Sequence, residues 1–122
     1  MTEVTARPSR TASARIIEHV GSWPGVTAGQ GRRGEFAFWI GRREVGHLHG
    51  DHAAHFMFPK AVWSQLQAQG RIEEHPVFPG KQGPAARRIR SDADVDDVIA
   101  LMRINYDRLV GAATHANGGG TR

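Results

Sequence analysis

Between Glu35 and Phe58 the chain alternates as an extended backbone does, EFAFWIGRREVGHLHGDHAAHFMF. Phe36, Phe38 and Ile40 fall on one side; Glu35, Ala37 and Trp39 fall on the other. Gly41-Arg42-Arg43 predicts a three-residue hairpin loop into a second strand over Glu44–His49. A turn opening at Gly50-Asp51 leads to a third strand, about Ala53–Phe58. At Pro59 the period lengthens to that of a helix. It buries Ala61, Val62, Leu66 and Trp63 and stops at Gly70 after Gln69. Strands over Glu73–Phe78 and Ala85–Arg90 flank a Pro- and Gly-rich loop. Val95, Val98, Ile99, Met102, Tyr106 and Leu109 then mark the closing helix, with a capping box from Ser91 and Asp94. Upstream, Ile16, Ile17 and Val20 give a first helix with Ser13 as N-cap, and Val26–Ala28 a short edge strand.

Strands joined by hairpin-length turns predict an α+β domain, an antiparallel β-sheet with helices packed on one face. A single domain spans 12–110. Residues 1–11, rich in Arg, Ser and Thr and without the apolar stretch of a signal peptide, read as a disordered leader. Residues 111–122 read as a small, polar, disordered tail. The aspartates at 92, 94, 96 and 97 sit where a helix N-terminus attracts negative charge, so they read as capping rather than as a metal site.

Composition narrows the chemistry. With 122 residues there is room for one modest core. Cysteine is absent, which rules out disulfides and thiolate metal sites and suits a reducing cytoplasm. The longest apolar run, Phe36–Ile40, is too short for a membrane span. The net charge of +4 rests on arginine pairs, among them Arg42–Arg43 and Arg87–Arg88. These offer a basic nucleic-acid- or protein-binding module without catalysis as an alternative function. The blander reading is that such pairs keep a small protein soluble. An exposed strand edge would also allow a homodimer.

Four of the seven histidines crowd into GHLHGDHAAH, Gly46–His55. With Leu48 opposite Phe36, Leu48 joins the apolar face, while His47 and His49 point the other way with Val45 and Trp39. Their Cα atoms stand about 6–7 Å apart. A three-residue Gly50-Asp51-His52 turn places His55 across from His47 and buries Phe56 and Phe58, roughly 1.5–3 kcal/mol each. The expected patch is Glu35, His47, His49 and His55, edged by Trp39 and Asp51. His47, His49 and His55 could hold a divalent metal such as zinc with a position left open. Equally, these groups could simply hydrogen-bond one another and water. The spelling His47-x-His49-x-Asp51-His52 matches metallo-β-lactamase-type hydrolases. Those enzymes need further ligands over a much longer sandwich, and only His75 and His115 lie downstream.

The block Gly41-Arg-Arg-Glu-Val-Gly-His-Leu-His-Gly-Asp51, Phe58-Pro59, Glu73-x-His75-x-x-x-Pro79 and the closing LMRINYDRL helix resemble the small bacterial luciferase-domain family, over about residues 34–109. Its domain is similar to that of fungal luciferase, and its outline is similar to the YjbR-like α+β domains. The resemblance implies that Gly46, His47, His49, Gly50 and Asp51 form one feature, with His75 and Pro79 beside it. One departure is that Pro84 stands where the family pattern has a tryptophan after a glycine. The fungal enzyme oxidises a hydroxylated pyrone with oxygen; without a cofactor such chemistry calls for a base, a part a sheet-face histidine can fill. The resulting expectation is a small-molecule ligand on the histidine face. His47, His49 and Asp51 would do any chemistry there, and Glu35, Trp39, His55 and His75 would bind the ligand.

Overall fold

The computed structural model describes residues 10–120, and side chains through residue 113. Its elements are α1 (Ala12–Gly21), β1 (Val26–Gln30), β2 (Phe36–Ile40), β3 (Arg43–His49), β4 (Ala53–Met57), α2 (Lys60–Ala68), β5 (Glu73–Glu74), β6 (Pro84–Arg88) and α3 (Asp92–Gly120). The strands form one antiparallel sheet in the order β1-β2-β3-β4-β6-β5. Phe38, Val45, Leu48, Ala54, Phe56 and Ala85 on one face meet Ile16 and Val20 of α1, Trp63 and Leu66 of α2, and Val98, Leu101 and Met102 of α3 in a single core. The protein is thus an α+β domain with its helices on one sheet face. Among the described residues no helix is long and apolar enough to cross a membrane.

Several local expectations shift, each for a visible reason. Thr11, not Ser13, caps α1, its side chain accepting from the Ala14 N–H at 3.1 Å. The Ser13 N–H goes instead to the Asp51 carboxylate, 2.8 Å away. In α2, Ala61 is exposed and Trp63 is buried, because the Trp63 indole N–H reaches the Pro84 carbonyl at 2.9 Å. The strand expected over Glu73–Phe78 shrinks to Glu73–Glu74. Beyond Glu74 the chain turns, and the Phe78 N–H bonds to the His75 carbonyl. The last helix passes Gly111, where composition predicts its end; a lone glycine beside Ala112 and Ala113 interrupts a helix only weakly. Of the expected leader over 1–11, residues 1–9 lie outside the described residues, and Thr11 is the cap of α1.

The start of α3 is also an ion-pair hub. Arg87 of β6 donates to Asp94 and Asp97, each at 2.6 Å, and Arg71 donates to Asp97 at 2.6 Å. The Asp94 N–H bonds the Ser91 hydroxyl, and the Asp94 carboxylate takes the Arg90 N–H. Ser91 therefore caps the helix, and Asp94 and Asp97 tie it to the sheet.

The hairpin joining β2 and β3 carries the departure that matters most. Phe36 faces Leu48 and Ala37 faces His47, as the alternation predicts. Past Phe38↔Gly46 the register slips, and Trp39 faces Glu44 and Ile40 faces Arg43. The turn is therefore Gly41-Arg42 rather than three residues, and Val45 is an extra residue bulged out of the ladder. Val45 turns into the core, fully buried, instead of lying on the histidine face. Gly46 follows it because α3 passes too close for a side chain: a Cβ there would lie 2.7 Å from the Met102 sulfur and 3.0 Å from the Phe56 ring.

Candidate functional site

The sheet face away from the helices carries the imidazoles. His47 and His49 share it because they are two residues apart on β3, and His55 joins them because β4 pairs it with His47. The three-residue turn at 50–52 makes this pairing, with Gly50 at φ +58° and His52 exposed. His75 arrives from the turn after β5. Ring centroids stand 4.9 Å apart for His47–His49, 5.3 Å for His47–His55, 4.4 Å for His49–His55 and 4.2 Å for His55–His75. One ring nitrogen from each of His47, His49 and His55 lies within 4.8 Å of the other two. Three nitrogens on one zinc, each about 2.1 Å from it, would stand about 3.4 Å apart, so small side-chain rotations close the set.

These rings floor a cleft of about 300 Å³, walled by Val77 and Phe78 on one side and by Arg33 and Glu35 on the other. Val77 and Phe78 are well exposed for apolar residues, at 69% and 45%. A roomier groove of about 720 Å³ lies between α1 and α3, but its charges face each other, Arg15 pairing with Asp92 at 2.7 Å. It offers no comparable cluster of donors.

Three of the rings differ in hydrogen-bond state. The His47 Nδ1–H donates to the Glu44 carboxylate at 2.6 Å, so in the neutral ring the lone pair sits on Nε2. His75 Nδ1 accepts the Val77 N–H at 3.1 Å, so in the neutral ring the hydrogen sits on Nε2. His55 is 9% exposed, and its Nδ1 is buried with no hydrogen-bond partner among the described residues. Burial and the imidazoles of His75, His49 and His47 push His55 down from 6.5 to about 4. Burial, then His47, lowers His49; burial, then His47 and His49, lowers His75. Backbone N–H groups of Glu35 and Arg33, with His47 and His49 behind them, lower the Glu35 carboxyl. His49, His55 and His75 therefore favour the neutral ring, the form that binds metal or accepts a proton.

Of the residues singled out from sequence, His47, His49, His55, His75 and Glu35 meet at this cleft. Asp51 does not. Its carboxylate caps α1 by accepting the Ser13 N–H, and the Ser13 hydroxyl first and that N–H second hold it below the usual carboxylate range. Trp39 is on the same face but one groove over, beside Thr27 and Gln30 of β1. The four arginines form no common surface. Arg87 is spent on Asp94 and Asp97, and Arg88 lies 3.7 Å from Glu73. Arg88 pairs with Ala53 next to His49, whereas Arg43 begins β3, about 20 Å away along the strand. Pro84 pairs with Met57 and does not line the cleft.

Sequence parity missed Glu44. Three residues from His47, it belongs on the opposite face of a regular strand, and only the Val45 bulge brings it round. The signal was present in Val45-Gly46, since a glycine inside a strand often marks a bulge. Arg33 lies in a connecting loop that no strand period could place, and Val77 and Phe78, expected in a strand, lie in the turn after β5.

Comparison with curated proteins and with solved structures returns no match. The luciferase-domain model matches residues 42–105, just over half of the chain. That segment holds all four imidazoles, the bulge and most of the helical core. The chain belongs to the luciferase-domain family.

Proposed function

We propose that the imidazole cleft is a small-ligand site in which His47, His49 and His55 hold a divalent metal such as zinc. The carrying observation is their convergence, with ring nitrogens within 4.8 Å of one another at the floor of a cleft. The buried, unpartnered His55 Nδ1 marks a polar group the protein alone leaves unsatisfied, a state that ordinarily costs about 1–3 kcal/mol. The Glu44 carboxylate behind His47 fits the same reading, because an acidic partner on the far nitrogen orients a ligating imidazole and raises its basicity.

Three protein ligands leave a position for water or for an oxygen of the ligand, where the metal supplies Lewis acidity. Val77 and Phe78 would cover the ligand's apolar body, and the His75 Nε2–H would donate to its polar end. A cysteine-free chain suits the cytoplasm as the setting.

The test is metal content and thermal stability of protein purified without a polyhistidine tag. One equivalent of bound zinc, or a rise of several degrees in Tm on adding zinc to the stripped protein, is expected. No metal and no shift would end the metal reading.

A further inference from the structure

We propose that Asn105, on the far side of the sheet from the cleft, is a positioning residue of the imidazole site. It holds the bulge that keeps Glu44 behind His47. The inference takes its purpose from the metal reading above, though its geometry stands without it.

Glu44 and His47 are three residues apart, so regular pairing would send them to opposite faces. The extra residue, Val45, restores them to one face, and Glu44 then meets His47 Nδ1 at 2.6 Å. A bulge leaves ladder groups without strand partners. Here the Val45 carbonyl is taken by the Asn105 amide at 2.9 Å, and the second hydrogen bond of that amide goes to the Met57 carbonyl of β4 at 3.0 Å. Asn105 is completely buried. Its carbonyl oxygen accepts from Arg108 at 3.0 and 2.7 Å, which fixes the amide's orientation, since a guanidinium can only donate. One turn earlier on α3, Met102 presses on Gly46, where a Cβ would sit 2.7 Å from its sulfur. Two consecutive turns of one helix thus grip the two bulge residues from the core side. Slipping the strand by one residue would bury Glu44 against the helices and turn Val45 outward. The clamp and the core jointly forbid that exchange.

The test uses the intact, metal-free protein and long-range 1H–15N spectra of its imidazoles at about pH 8.5, above the ordinary histidine range. In the wild type His47 should be the Nδ1–H tautomer. Asn105→Ala should remove that preference, as Glu44→Ala does, while the signals of His49 and His55 stay in place. Each variant should also weaken zinc binding by about 10–100-fold, the usual effect of removing a ligand's orienting partner. The double variant should lose no more than Glu44→Ala alone. If Asn105→Ala does not fold, Arg108→Ala, which frees the amide to turn, is read in the same way with a smaller change expected. A folded variant with the wild-type His47 tautomer, or losses that add in the double variant, would overturn the proposal. Failure of the wild type to bind zinc would instead sink the metal reading, leaving the tautomer comparison to decide this one.

Discussion

The two faces of the sheet are built from alternate residues of the same strands and do opposite work. On β3, Val45, Gly46 and Leu48 meet the helices and are all buried, while His47 and His49 line the cleft on the other face, with Glu44 behind His47. The helical face is close-packed apolar matter whose side chains matter through volume. The cleft face is a cluster of polar rings held near one another despite the unfavourable effect on their protonation. A block such as Gly46-His47-Leu48-His49-Gly50-Asp51 therefore mixes two kinds of residue. Gly46 makes room for Met102, Leu48 fills the core, Gly50 supplies a positive φ and Asp51 caps α1. Only the two histidines face the cleft.

The difference can be broken by substitution, beginning with the largest effect. Phe38→Ala, on the helical face, should cost about 3–5 kcal/mol in chemical denaturation and leave a marginal domain. A loss under about 1 kcal/mol would mean that the core does not rest on that face.

The next effect comes from acid. Below pH 6.5 the unfolded chain protonates His55, but the folded one, held down to about 4, does not. His55 alone should therefore lower the stability of the metal-free protein as pH drops from 6.5 to about 4, by on the order of 3 kcal/mol at most, and by nothing further below that, with His49 and His75 adding to the fall. Denaturation midpoints across that range should flatten in His55→Phe. An unchanged slope would place the acid sensitivity elsewhere.

A smaller effect sharpens the boundary between the faces. Asp51→Ala removes an acceptor at the start of α1 and should cost about 0.5–2 kcal/mol. Zinc affinity should not change. A variant of normal stability that loses zinc would return Asp51 to the site.

Much of this arrangement was legible in the sequence because a period of two is unforgiving. Once Phe36 and Leu48 were paired, His47 and His49 had to face away, and burying Phe56 fixed His55 opposite His47. What the alternation could not carry was an interruption of itself. The Val45 bulge moved Val45 inward and Glu44 outward, the reverse of the strict pattern. His75 was reachable only through the family resemblance, since it sits past a two-residue strand in a turn without periodicity. Asp51 looked like a partner of the histidines because it neighbours them along the chain. The turn at 50–52 instead aims it at a helix 38 residues away in sequence.

The central claim is that the imidazole face exists for a ligand and not for the fold. Its most direct test is the His47→Ala/His49→Ala double variant, followed by calorimetric zinc titration and denaturation side by side. The account predicts stability within about 0.5 kcal/mol of the metal-free wild type, as for surface substitutions, together with no measurable zinc binding. A variant that unfolds, or one that binds zinc as the wild type does, would contradict it.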